Sequence, residues 1–123
     1  MARDRPAHDI GALSDFPVGE MTIVDVAGVE VGVYHASDGS LRAVRNVCPH
    51  YAAPICRGEV SGTMIPSAPG TFEYGLDERV LRCPWHGFEY DLATGDPLYD
   101  VTRGRLRTYD VAVRTDDHVE LFL

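Results

Sequence analysis

The stretch that decides the fold reads Cys83-Pro84-Trp85-His86-Gly87, continuing as Phe88-Glu89-Tyr90-Asp91-Leu92-Ala93-Thr94-Gly95. A shorter stretch of the same kind, Cys48-Pro49-His50, lies earlier in the chain. In each, one loop can present a thiol and an imidazole to a common centre, and the proline after the cysteine stiffens that loop by fixing φ. Thiolates and imidazoles are ligands for a soft or borderline metal. The sequence therefore predicts one metal centre with four ligands: Cys48, His50, Cys83 and His86.

These two stretches resemble the two cluster-binding boxes of the Rieske family, and the resemblance extends over roughly residues 16–123. It implies an all-β Rieske fold, with antiparallel basal sheets and a small cluster-binding subdomain. It also implies one [2Fe-2S] cluster per chain, in which Cys48 and Cys83 bind one iron while His50 and His86 bind the other. With two imidazoles in place of two thiolates the cluster carries less negative charge, so adding an electron is easier.

A structural zinc site is the alternative, because it uses the same residue types. The proline and glycine context and the residues after His86 match the Rieske boxes rather than a zinc finger, which favours iron–sulfur. Each ligating imidazole has a second nitrogen that can lose a proton. We therefore expect the reduction potential to fall as pH rises through the pKa of the oxidised form.

Short strands are predicted on both sides of the boxes. Val29-Glu30-Val31-Gly32-Val33 alternates with period two after a turn at Gly28, and strands are also expected at 41–47, 106–113 and 118–123. Residues 1–15 are polar and aperiodic, so we expect a flexible arm there. Residues 16–123 are expected to form a single domain with its cluster-binding part at about 46–96.

An insertion is expected at about 59–79, where the spacing between the boxes is longer than in simple Rieske ferredoxins. Residues 62–70 look like an extended Pro-rich loop. Residues 71–74 and 79–82 look like a hairpin that turns at 75–78. Two interpretations remain open: a lid or docking loop near the cluster, or a hairpin that covers apolar surface.

Two departures from high-potential Rieske proteins, and one match to them, bear on the potential. Cys56 lacks the partner cysteine of those proteins, because Trp85 occupies that position, and it is expected to be a buried free thiol. Phe88 replaces a hydroxyl residue that donates to a bridging sulfide. Tyr90 matches a tyrosine that donates to a ligand sulfur, although a packing role alone is as plausible. The resemblance thus implies a low value within the Rieske range of about −150 to +300 mV.

Packing alone is the simpler role for Trp85, although it could also shield the cluster from water or form part of the docking surface. The three histidines outside the boxes are expected at the solvated surface: His8, His35 and His118.

Composition narrows the function classes. A length of 123 residues suits one domain and leaves no room for a second one carrying a mononuclear iron site. The net charge of −8 disfavours nucleic acid and anionic membranes as partners. No apolar run is long enough for a signal peptide or a membrane span, and three cysteines suit metal ligation in a reducing compartment, so a cytoplasmic protein is expected.

The predicted function is one-electron transfer by a soluble carrier, from a flavoprotein reductase to a terminal oxygenase or similar oxidoreductase. Such a protein is not an enzyme by itself. One alternative is a non-catalytic Rieske subunit of a larger oxidoreductase, like a nitrite-reductase small subunit. A further alternative is a redox sensor that uses cluster loss or Cys56.

Overall fold

Antiparallel strands build the computed structural model, which describes residues 6–49, 54–66, 72–84, 89–98 and 104–123. Helical backbone in these ranges is confined to the 3-10 turns Leu13–Asp15 and Ile55–Arg57, and no described helix is long and apolar enough to cross a membrane. The all-β prediction is confirmed. The strands are β1 (Ala7–Ala12), β2 (Met21–Val26), β3 (Val29–His35), β4 (Leu41–Arg45), β5 (Glu59–Pro66), β6 (Phe72–Arg82), β7 (Glu89–Asp91), β8 (Thr108–Val113) and β9 (His118–Phe122).

The larger sheet has six strands in the order β1-β9-β8-β4-β3-β2. The two-residue turn between β2 and β3 has Ala27 at φ 51° and Gly28 at φ 84°, and Gly28 N–H donates to Asp25 Oδ1 at 3.0 Å. Two consecutive positive φ values are those of the type I′ turn, whose twist matches that of the flanking strands. This turn sets Val26 opposite Val29 and so fixes the register of β2 and β3.

The two faces of this sheet contact different cores because side chains alternate along each strand. On β3, Val31 and Val33 belong to a basal core, whereas Tyr34 belongs to a site core. The buried members of the basal core are Phe16, Val26, Val31, Val33, Ala43, Val119 and Leu121. Those of the site core are Tyr34, Ala36, Val44, Cys48, Ile55, Cys56, Leu81, Cys83, Tyr90, Leu92 and Leu106.

The smaller sheet has the order β5-β6-β7 and differs from the predicted insertion. Residues 62–66 continue β5 instead of forming a loop, and β6 continues through residues 75–78 instead of turning there. Ser61 pairs with Val80 and Thr63 pairs with Gly75, so four residues of β6 lie opposite one of β5. The turn-favouring residues at 75–78 therefore produce an irregularity within a paired strand. The residues of β6 before and after the irregularity both pair with β5, and this pairing holds the chain extended. The predicted loop residues 67–70 lie outside the described ranges.

The predicted flexible arm is also wrong for the residues that the structure describes. Ala7–Ala12 forms β1, which pairs with β9 from Ala7 opposite Phe122 to Ala12 opposite His118, with a register shift between Asp9 and Gly11. Ile10 packs against the basal core. The alternation of β1 is weak because it is an edge strand whose backbone pairing, rather than an apolar pattern, holds it in place.

Candidate metal centre

The first box follows β4, which ends at Arg45. Cys48 is 1% exposed and lies in the site core. One residue after β4, the side chain of Asn46 is held from two directions. Its amide donates to Glu30 Oε1 at 2.9 Å, and its Oδ1 accepts from the backbone N–H of Cys56 at 2.8 Å. The hydrogen bond between Cys56 and Asn46 therefore joins the two ends of the segment that carries Cys48.

The second box follows β6 and is closed by β7. Arg82 lies opposite Glu89, and their side chains form an ion pair at 2.7 Å; Leu81 lies opposite Tyr90. Cys83 comes immediately after this pairing and is 2% exposed in the site core. Strand pairing and the ion pair thus hold together the two ends of the second ligand loop.

The structure brings Cys48 and Cys83 into one core, and no disulfide involves either of them or Cys56. Their predicted co-ligands, His50 and His86, lie outside the described ranges, as do Trp85 and Phe88. Within those ranges no group of three or more His, Cys, Asp or Glu residues could hold a metal ion. Two buried thiols in an apolar core suit an iron–sulfur cluster, because thiolates are its protein ligands and low water access protects it.

Tyr90 supplies a hydroxyl beside the first of these thiols. Its side chain is 0% exposed, and its Oη lies 3.7 Å from Cys48 Sγ, within hydrogen-bonding distance for sulfur. When Cys48 is a thiolate, the tyrosine O–H is the donor, because a thiolate has no proton to give. The predicted donation to a ligand sulfur is therefore geometrically possible in this chain.

Cys56 is a buried thiol, as predicted. It is 4% exposed, its Sγ lies 3.9 Å from the carbonyl oxygen of Val44, and burial raises the pKa of the thiol to about 12. Gly32 makes room for it: a Cβ on Gly32 would overlap Cys56 Sγ and lie 2.8 Å from Cys56 Cβ. At neutral pH the thiol is protonated and therefore a poor nucleophile.

Two of the histidines outside the boxes, which were predicted to be solvated surface residues, make specific contacts. His35 is half-buried, and its Nδ1 lies 2.8 Å from the carbonyl oxygen of Phe16. His118 Nδ1 lies 3.0 Å from Asp9 Oδ2, which joins β9 to β1. His35 therefore joins β3 to the segment before β2, and His118 joins two strands of the larger sheet. The sequence did not indicate these contacts, because each depends on a residue distant along the chain.

Comparisons with known proteins agree with this architecture. A ferredoxin component of naphthalene 1,2-dioxygenase/salicylate 5-hydroxylase systems from a Ralstonia species is 29% identical over 105 residues, covering 85% of each chain. The solved ferredoxin of carbazole 1,9a-dioxygenase from Nocardioides aromaticivorans is 27% identical, with a TM-score of 0.68 over 94% of this chain and 95% of its own.

A similar fold is found in a protein assigned as the small subunit of an NADH-dependent nitrite reductase from Mycobacterium tuberculosis. It is 21% identical, with a TM-score of 0.70 over 95% of this chain and 94% of its own. The family model for the Rieske [2Fe-2S] domain matches residues 7–110, most of the chain. A domain of this kind carries a [2Fe-2S] cluster, which favours iron–sulfur over zinc. The chain therefore belongs to the Rieske [2Fe-2S] family.

Proposed function

We propose that this protein is a one-electron carrier, a ferredoxin that serves an oxygenase or a similar terminal oxidoreductase. The observation that carries the proposal is the pair of buried thiols, Cys48 and Cys83, brought into one core of a Rieske domain. A carrier role is supported by the Ralstonia relative, a ferredoxin component that matches over most of both chains. A carrier of this kind does not turn over a substrate by itself.

The proposed ligands are Cys48 and Cys83 on one iron and His50 and His86 on the other. When bound, the cluster accepts and returns a single electron. The chain's own contribution is to hold the ligands and control their surroundings. The site core keeps water from the thiolates, and Tyr90 O–H donates to Cys48 Sγ. Both effects change the relative stability of the two oxidation states.

The proposed partners are proteins: a flavoprotein reductase as donor and a terminal oxygenase as acceptor. A surface groove of about 540 Å³ lies beside Cys83, lined by Arg57, Gly58, Glu59, Arg82, Cys83 and Pro84. Its charged rim suits a small, polar and transient contact, as redox encounters require. A cytoplasmic location stays a prediction from the sequence.

A subunit held permanently in a larger oxidoreductase is the second candidate, favoured by the fold shared with the nitrite-reductase-type small subunit. The two candidates differ in solution. A carrier is expected to elute alone and to be reduced rapidly by a ferredoxin reductase, whereas a subunit co-purifies with its partner. The redox-sensor alternative is less well supported, because the thiol of Cys56 is buried and protonated.

The deciding experiment is an EPR spectrum of the dithionite-reduced protein, combined with a redox titration across pH. Mixed nitrogen and sulfur ligation is expected to give a spectrum distinct from that of an all-cysteine cluster. The potential is expected to fall at alkaline pH, and His86→Cys is expected to lower it further. A colourless protein that holds zinc would overturn the proposal. A potential that stays constant into the alkaline range would contradict imidazole ligation.

A further inference from the structure

The 3-10 turn Ile55–Arg57, with the glycine that follows it, contacts both ligand segments, by which we mean the residues that lead into Cys48 and those that lead into Cys83. On one side it contacts the segment that precedes Cys48, through the hydrogen bond from Cys56 N–H to Asn46 Oδ1. On the other side its last residue, Gly58, lies against the backbone of Arg82, the residue before Cys83. We call residues 55–58 the spacer. We propose that the spacer positions Cys48 relative to Cys83, with Asn46 and Gly58 as its two positioning residues.

The contact through Asn46 is strong and specific. Asn46 is 6% exposed and is the one buried polar residue among those that the structure describes. Its backbone N–H donates to the carbonyl oxygen of Glu30, and its side-chain amide donates to Glu30 Oε1, both at 2.9 Å. Its side-chain Oδ1 accepts a hydrogen bond from Cys56 N–H. A buried amide with these partners fixes its neighbours, because a buried donor or acceptor that loses its partner is destabilising.

The contact through Gly58 is steric. A Cβ at this position would overlap the carbonyl oxygen of Arg82 and lie 3.0 Å from its carbonyl carbon. The φ of Gly58 is −79°, which any L-residue can adopt. Glycine is therefore needed here for space and not for its backbone freedom. Close packing at this point fixes the separation between the spacer and the end of β6, where Cys83 begins the second ligand loop.

The spacer is itself held by packing, against the site core and against β3. Ile55 is 0% exposed in the site core, and Cys56 Sγ packs over Gly32 of β3. The spacer is thus packed on both sides while it contacts both ligand segments. Outer contacts that orient metal ligands typically change metal affinity by about 10–100-fold when they are lost. The inference rests on the proposed function, because it takes Cys48 and Cys83 as ligands.

Two single variants test the two contacts, with metal loss to a chelator and the EPR spectrum as readouts. Asn46→Ala removes the acceptor of Cys56 N–H, and Gly58→Ala inserts a Cβ against Arg82. Each is expected to speed metal loss about 10-fold or more and to alter the EPR line shape. Val119→Ala is the matched control, because it weakens the basal core on the opposite face of the sheet. It is expected to lower the unfolding temperature without changing metal loss or the spectrum.

A charge exchange provides a rescue that does not depend on a truncated side chain. Asn46→Asp alone keeps the acceptor for Cys56 N–H but sets a carboxylate against that of Glu30. The double variant Asn46→Asp/Glu30→Gln restores an amide–carboxylate pair. The amide at position 30 is now the donor, and the carboxylate at position 46 is the acceptor. The double variant is expected to return metal loss to within about twofold of the wild-type rate.

The outcomes separate this proposal from the proposed function. Metal loss and spectra of Asn46→Ala and Gly58→Ala that match those of Val119→Ala would overturn the spacer, as would a double variant no better than Asn46→Asp. A wild-type protein that holds zinc would overturn the electron carrier. The chelator assay would still test the spacer in that case, since it measures loss of either metal. A wild-type protein that binds no metal would overturn both.

Discussion

Tyr90 is the side chain through which the fold acts most directly on a ligand thiolate. Its hydroxyl lies 3.7 Å from Cys48 Sγ, and donation stabilises the reduced state because that state carries more negative charge on sulfur. We expect Tyr90→Phe to lower the potential by the difference in this bond between oxidation states, about 1 kcal/mol or roughly 40 mV for one electron. A redox titration followed by EPR measures the shift.

Tyr109→Phe is the control for that change, because the ring of Tyr109 packs against the basal core and lies 5.6 Å from the guanidinium carbon of Arg107. Its potential is expected to equal that of the wild type. If Tyr90→Phe also retains the wild-type potential, Tyr90 only packs in the site core.

Cys56 makes stability depend on pH in the alkaline range. Burial raises the pKa of this thiol from 9.0 to about 12, so the unfolded chain releases the proton at a lower pH than the folded chain. Its stabilising contribution is therefore complete below pH 9.0 and is lost as pH rises towards about 12. The loss has a slope of at most about 1.4 kcal/mol per pH unit.

Comparison with Cys56→Ala isolates this effect. The variant removes the thiol and keeps the backbone N–H that bonds Asn46. Its unfolding temperature is expected to decline less steeply between pH 9 and pH 11, as measured by circular dichroism. Parallel declines would show that the thiol does not titrate in this way.

At the scale of elements, β1 is expected to stabilise the larger sheet without affecting the metal centre. It covers the edge of β9, whose residues Val119 and Leu121 lie in the basal core. Deleting residues 1–12 is expected to lower the unfolding temperature by about 5 °C or more and to promote association through the uncovered edge. Thermal denaturation and light scattering measure both effects. The visible spectrum is expected to be unchanged, and an unaltered unfolding temperature would contradict this role of β1.

Which elements could be predicted depended on whether the signal was local. The alternation of Val29 to Val33 and the turn at Gly28 predicted β3 correctly, because burial of one face and a two-residue turn leave local patterns. The pairing of β1 with β9 joins residues from opposite ends of the chain and leaves no such pattern. A turn was predicted at residues 75–78, where the structure has the irregularity in β6, because Gly, Asp and Glu favour turns and irregularities alike.

The same distinction applies to the metal centre. Cys48 and Cys83 were identified because each lies in a box with its own spacing, and the structure brings both into the site core. Asn46 and Gly58 were missed because their contacts are with Cys56, Glu30 and Arg82, which only the folded chain brings close. The one available signal was the polar Asn46 just after the end of a strand whose residues Ala43 and Val44 are apolar. Gly58 gave no signal of its own.

At the scale of the whole molecule, the net charge of −8 is expected to control how charged partners approach. Small redox reagents test this without an identified partner. Oxidation of the reduced protein by the trication hexaammineruthenium(III) is expected to slow as ionic strength rises, because salt screens the attraction. Oxidation by the trianion ferricyanide is expected to accelerate, because salt screens the repulsion. Stopped-flow absorbance measures both rates. If the groove lined by Arg57 and Arg82 dominates the field near Cys83 instead, both salt dependences reverse, and Arg57→Gln would then restore the order set by the net charge.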